Sequence, residues 1–213
     1  MVKAAWVGIS VALFISVSAA CNNNPVKDKA IAKVEQAAPA PAAPAEAGVR
    51  YAFSDAGSQV TWVGAKVTGK HEGSFGKFSG QVVLVGGDVT KSSVKADIVT
   101  SSVTTDQEKL VGHLKSPDFF DVEHFPTVRF QSSKIEAGGE ASATHTVTGN
   151  LELHGVKKSI RFPATIAVSG DGVSVKSEFG INRKDFGIVY PGKPDDLIKD
   201  EVLIRLNIVA KKG

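Results

Sequence analysis

The sequence predicts an antiparallel all-β domain, and three observations predict it. Successive short stretches alternate apolar and polar with period two, glycine-rich turns separate them, and only one window of the main body has convincing helical spacing. Each strand then carries one apolar face, so the domain is a sandwich or a closed barrel.

The chain opens on a different texture. Lys3 precedes the nearly uncharged stretch 4–20, and Ser18, Ala19 and Ala20 lead into Cys21, the only cysteine. A positive start, an apolar middle and a small-residue end are the parts of a secretory signal peptide, assigned to residues 1–20. An apolar run of about 17 residues is also the shortest that spans a bilayer, so a retained anchor is the competing reading. Val17-Ser18-Ala19-Ala20-Cys21 resembles a lipobox, with Ser18 where Leu, Val or Ile is usual. That resemblance implies cleavage before Cys21 and a lipid on its sulfur, and Asn22 resembles the next residue of lipoproteins sorted to an outer membrane. The same cut without the lipid leaves a free thiol, a liability in an oxidising compartment. The expected location is the cell envelope, lipid-anchored and facing the periplasm, with a soluble periplasmic or secreted protein as the alternative.

Residues 21–48 read as a tether ending in the Ala/Pro run 38–47. Such a stretch extends by about 3.1 Å per residue, which limits its reach to roughly 80 Å. Ile31 and Val34 leave a trace of helical spacing, too short to stand alone in water.

From residue 49 to 213 the chain is long enough for one domain with its own core. Strand patterns occupy 59–66, 81–85, 94–100, 128–132, 144–153, 159–168, 173–179 and 202–209, about eight in all. Turn chemistry falls between them at Gly86-Gly87-Asp88, Gly138-Gly139, His154-Gly155 and Gly170-Asp171-Gly172. In the last strand Val202, Ile204, Leu206 and Ile208 form one wholly apolar face. The helical window is 105–115, where Thr105 and Glu108 make a capping-box pattern and Leu110, Val111 and Leu114 share a face. Beyond it, Ser116-Pro117-Asp118-Phe119-Phe120 puts two adjacent rings on a loop where only one has room to face a core. The surplus apolar surface predicts a lid or a pocket wall, or else both rings pack on the helix.

Three blocks carry a family resemblance. The first runs from His113 through Ser116-Pro117-Asp118-Phe119-Phe120 to Glu123-His124-Phe125-Pro126, closed by Phe130. The second is Gly149-Asn150-Leu151-Glu152-Leu153-His154-Gly155-Val156-Lys157-Lys158, and the third is Asn182-Arg183-Lys184-Asp185-Phe186-Gly187-Ile188. Trp62, Gly64 and the run His71-Glu72-Gly73-Ser74-Phe75 fit as well. Together they resemble the YceI family from Tyr51 to the C-terminus. The resemblance implies an eight-stranded, lipocalin-like antiparallel β-barrel with one short helix and a lid-like loop. It also implies a periplasmic or secreted setting and a long amphipathic ligand in the interior, such as a polyisoprenoid, a quinone or a fatty-acyl lipid.

Elementary energetics favours a long ligand. A buried methylene contributes about 0.8 kcal/mol, and association costs roughly 4–15 kcal/mol in lost freedom. Fewer than about ten buried carbons therefore bind weakly. The candidate lining residues are Trp62, Phe75, Phe78, Leu84, Ile98, Leu110 and Leu114, together with Phe119, Phe120, Phe130, Phe162, Phe179 and Leu206. Arg183 and Asp185 read first as a hydrogen-bonded structural pair, since a buried charge needs a partner; the functional reading makes Arg183 the candidate for a polar or phosphate head group. Lys193, Asp195, Asp196 and Lys199 read as solvated.

The five histidines show no compact spacing with acidic residues on one element, so no metal is expected. No strained nucleophile, phosphate-binding glycine loop or dinucleotide fingerprint occurs, so neither catalytic residues nor a cofactor are assigned. A third reading, an enzyme acting on a lipid head group, needs an acid/base pair in the barrel mouth, with candidates such as His113 or Asp121. With a formal charge of +3 and scattered lysines, nucleic acid is not an expected partner. The expected function is non-enzymatic lipid binding, storage or transport. The alternative is an envelope stress or assembly factor whose barrel is filled by side chains and which acts through its outer surface. A homodimer through a strand edge or over the barrel mouth is a further option.

Overall fold

A computed structural model of the protein describes residues 23–39, 48–170 and 172–213. The stretch 1–20, Cys21 and most of the Ala/Pro run lie outside the described residues. In chain order the strands begin with β1 (Lys33–Gln36), β2 (Val49–Ser54), β3 (Gln59–Lys66), β4 (Gly69–Phe75), β5 (Phe78–Val85), β6 (Asp88–Val99) and β7 (Val103–Thr105). Helix α1 (Glu108–Lys115) follows, then β8 (Thr127–Ala137), β9 (His145–Leu153), β10 (Val156–Ser169), β11 (Gly172–Asn182), the short β12 (Gly192–Lys193) and β13 (Asp196–Leu197), and β14 (Glu201–Lys212).

Eight of these strands close a barrel, each antiparallel to its neighbours: β2, β5, β6, β8, β9, β10, β11 and β14, returning to β2. Among the described residues the expected barrel with one helix is therefore what forms. β3, β4 and β7 continue β2, β5 and β6 past short bends and make a ledge at one end, with β3 still paired to β14. We call this the helix end, because α1 sits there. The opposite, turn end carries the β5–β6, β8–β9 and β10–β11 connections. His154 (φ 51°) and Gly155 (φ 73°) make the two-residue turn between β9 and β10, as the sequence predicts.

The helix starts later than its sequence pattern suggests. Thr105 is still in β7, where its hydroxyl donates to the Glu72 carbonyl and to Asp106, and the residue at the helix N-cap is Gln107, with no side-chain cap. The capping-box reading of Thr105 and Glu108 is thus corrected: strand pairing with β4 uses Thr105 before the helix can.

The second correction concerns the tether. Residues 23–39 lie on the barrel as a strap. β10 pairs with β11 only from Thr165 to Ser169. The Pro163 carbonyl accepts a bond from Ser177 Oγ of β11, so the N–H that proline lacks is missing on that same side. Above this point the two strands part, and the strap enters the opening. β1 pairs with β10 from Lys158 to Arg161, while Ala32 N–H donates to the Gly180 carbonyl and Gly180 N–H to Ala30, both at 2.8 Å. Ala32 and Val34 face the core and complete the wall.

Before reaching the opening, the strap crosses the outside of β11, β14 and β3. Val26 is buried there on Val63 and Leu203, two outward-facing residues it shields from water. Gly180 makes the crossing possible, since a Cβ would sit 2.5 Å from Ile31 and 2.8 Å from Val26. Lys29 pairs with Glu178, which also accepts from Arg205 at 2.9 Å, and the Lys29 bond above all holds the Glu178 carboxyl below the ordinary carboxylate value.

This packing makes a stability prediction. Leu203→Ala should cost about 2–5 kcal/mol in urea unfolding of the chain with its strap, and clearly less in a chain beginning at Gly48, where Leu203 already meets water. Equal costs in the two backgrounds would contradict the strap's role.

Candidate functional site

The barrel is hollow. An apolar cavity of about 280 Å³ extends from Ile166 and Val175 near the turn end to Leu114 and Ile198 at the helix end. This is just below the roughly 300 Å³ at which small-molecule pockets begin, a size that counts toward the surface-acting alternative and leaves room only for a slender occupant. Its lining is apolar throughout apart from Gly64 and Arg183. The turn end is sealed by Tyr51, Leu84, Ile135, Val173 and Ala210, all at most 5% exposed. The helix end is covered by α1 and loops instead of by strand side chains.

Twelve of the fourteen sequence-predicted residues line this one space. Trp62, Phe75, Phe78 and Ile98 come from the β3–β6 wall, and Phe130, Phe162, Phe179 and Leu206 from the opposite side. Phe162 stacks on Phe179 with centroids 4.3 Å apart, and Phe130 leans on Phe162 at 5.8 Å. Leu114, Phe119, Phe120 and Arg183 close the helix end. Leu84 and Leu110 do not line it. Leu84 belongs to the seal at the turn end, and Leu110 packs on the Trp62–Val103–Leu114 cluster under the helix.

The loop after α1 holds both of its rings at the cavity, against the expectation that only one had room. Phe120 meets Phe75 edge-on at 5.5 Å, while Phe119 packs against His113 and Tyr190. The loop is stiffened by its own backbone: Phe120, Asp121 and Val122 N–H groups donate to Leu114, Ser116 and Lys115 carbonyls. Period-two reading missed the aliphatic half of the lining, including Val94, Leu151, Ile160 and Ile208. Their alternation marks an inward face, but aliphatic side chains of that kind serve a packed core and a cavity wall alike.

Trp62 is placed by a glycine. Gly73 lies opposite it across β3 and β4, and a Cβ at 73 would sit 2.4 Å from the indole and 2.1 Å from the Thr104 carbonyl. The indole N–H of Trp62 is buried with no hydrogen-bond partner among the described residues.

Arg183 turns out to be a structural residue. It is 5% exposed, in a short 3-10 turn spanning Arg183–Phe186, and its guanidinium donates to the Lys199 and Ile188 carbonyls and to Asp200. Burial lowers its pKa and Asp200 opposes that shift. The expected partner Asp185 is thus replaced by Asp200, because the turn rotates 183 and 185 apart. With these contacts Arg183 ties the 187–200 loop over the helix end. Asp196 is likewise not simply solvated: it accepts from Lys66 and from both the amide and the hydroxyl of Thr68, which joins that loop to the β3–β4 hairpin.

The acid/base candidates have separate partners. His113 pairs with Asp118 at 2.9 Å, and Asp121 with His124 at 2.9 Å. Asp121 raises the pKa of His124 above its ordinary 6.5, through a hydrogen bond first and charge second. The stabilising effect of a raised histidine pKa is complete below the unfolded value and is lost as pH climbs through the folded one. An NMR titration should find His124 above 6.5, falling back toward it in Asp121→Asn; no change in that variant would contradict the pairing. Gly73→Ala should destabilise the fold and displace the indole, seen as a shifted Trp62 emission; unchanged stability and emission would contradict the close approach.

The sequence matches the family model described as YceI-like domain over residues 51–210. A UPF0312 protein of Pseudomonas putida strain W619 is 32% identical over 126 residues, covering 56% of this chain and 65% of that protein. One of Pseudomonas aeruginosa strain LESB58 is 32% identical over 122 residues, covering 54% and 62%. The chain thus spans a little under two thirds of the curated relatives it matches. Among solved structures, Burkholderia cenocepacia BcnA superposes with a TM-score of 0.64 at 26% identity, covering 74% of this chain and 98% of that one. A polyisoprenoid binding domain from Saccharophagus degradans, implicated in plant cell wall breakdown, gives 0.61 at 16%, covering 78% and 99%, a likeness of fold alone. With the barrel, the helix and the matched blocks in one chain, the protein belongs to the YceI-like domain family.

Proposed function

We propose that the protein binds one long-chain amphipathic lipid, of polyisoprenoid, quinone or fatty-acyl type, as a non-enzymatic carrier or reservoir in the cell envelope. The observation that carries this reading is the apolar cavity sealed at the turn end and covered by α1 and the Phe119–Phe120 loop at the other. A narrow space bounded by aliphatic and aromatic side chains has no means of holding a polar metabolite. It suits a chain whose every methylene adds about 0.8 kcal/mol. The Saccharophagus degradans domain of like fold is named for binding polyisoprenoid, which supports the same ligand class here. Attachment to the membrane through a lipidated Cys21 is part of this proposal, and it gives the carrier its source of ligand.

Native mass spectrometry of protein purified without detergent should show a bound long-chain compound. A protein that is empty and takes up no added isoprenoid would favour the surface-acting alternative. Two variants sharpen the test. Phe130→Asp places an unpaired carboxylate in the cavity, and Ala96→Phe fills space without adding charge; each should weaken uptake at least about tenfold while circular dichroism reports a folded barrel. Undiminished uptake in both folded variants would place the ligand elsewhere.

A further inference from the structure

We propose that the helix end of the barrel is a membrane-docking face, held on the bilayer by the strap so that the cavity opens onto lipid. This inference rests on the membrane attachment proposed above. Its occupant is the bilayer to which the N-terminal segment belongs.

The first argument is where the chain joins the barrel. A tether reaching to residue 48 would leave the domain free to swing at a distance. The strap instead docks at its first described residues: Asn23 donates its side-chain amide to the Val67 carbonyl at 3.1 Å, and Val26 is buried three residues later. Val67 follows β3 in the β3–β4 hairpin, at the helix end. Only Asn22 separates Cys21 from Asn23 in the sequence, so an attachment at Cys21 acts directly on the docked start of the strap. Both membrane readings, a lipid on Cys21 and a retained apolar segment 4–20, attach the protein at this same point.

The second argument is what surrounds that point. Val67 is 57% exposed and Leu197 49%, and they are neighbours, since Val67 N–H donates to the Leu197 carbonyl at 3.1 Å. Val189, 62% exposed, belongs to the same loop, whose Pro191 carbonyl accepts from Ile198 N–H. At the opposite end the turns are built from Gly86-Gly87, Gly138-Gly139-Glu140 and Ser169-Gly170, and the exposed apolar residues beside them, Val49 at 43% and Val168 at 39%, are less exposed than Val67, Leu197 or Val189. Exposed valine and leucine beside an attachment point favour insertion at a lipid interface.

The third argument is the cavity. Leu114, Phe119, Phe120 and Ile198 line it at this end, so the docking face and the mouth coincide. A chain of ten or more carbons carried through water would expose about 0.8 kcal/mol per methylene. Passage straight from bilayer to barrel avoids that exposure.

The test uses the full chain, purified from membranes and reconstituted in vesicles of phosphatidylethanolamine and phosphatidylglycerol. Val67→Cys, Leu197→Cys and, at the opposite end, Gly87→Cys are labelled with an environment-sensitive fluorophore and quenched by spin-labelled lipid. Quenching should be at least about threefold stronger at 67 and 197 than at 87. Inserting a long Gly/Ser spacer between Asn22 and Asn23 should keep the protein on the vesicles and reduce this difference. Flotation and the mass of the peptide containing residue 21 read attachment separately. Protein that floats with equal quenching at both ends, or none at either, overturns the docking face and leaves attachment and lipid binding standing. Protein that does not float overturns the attachment and the docking face together.

Discussion

The wall of this barrel depends on what happens beside Pro163. An antiparallel barrel removes its edges only when every strand finds a neighbour on both sides. Proline deprives β10 of one donor toward β11, and above that level the two strands separate. Left open, the gap would expose unpaired backbone and admit water to an apolar interior. The strap fills it with backbone pairing to both strands and with Ala32 and Val34 on the inner side. The matched family region begins at residue 51, so this repair is made by chain outside it.

Closure at the wall and at the turn end leaves the helix end as the place where the enclosure can change. There the cover consists of one helix of two turns, the 116–126 loop and the 187–200 loop, joined by few long-range strand bonds. Arg183 and Asp196 hold the second loop, and self-bonded backbone holds the first. A cover of loops can move while the barrel stays rigid, as the proposed uptake and release of a long molecule requires.

Much of the fold was legible because alternation is a local signal. Val202, Ile204, Leu206 and Ile208 announce β14 and line the cavity, and His154-Gly155 announces its turn through the backbone conformation it must adopt. The lining was legible in part for the same reason, with aromatic residues as the marker. The misreadings are all non-local. Lys33-Val34-Glu35-Gln36 is too short and too polar to declare itself a strand, and only the opening beside β10 makes it one. Thr105 has a helix-capping neighbour in sequence but a strand partner in space. Arg183 finds Asp200 seventeen residues away, where no spacing rule points. Val26, Val63 and Leu203, which no local pattern marks out, are brought together only when the strap covers the outside of the sheet.

The central claim is a hollow barrel that holds a long chain. Electron density in a crystal of the protein taken from its own membranes, never exchanged into detergent, tests it most directly. The account predicts continuous elongated density from Leu114 and Phe120 down to Ile166 and Val175. A barrel in which Phe130, Phe162 and Phe179 have collapsed into that space, leaving none, would contradict it.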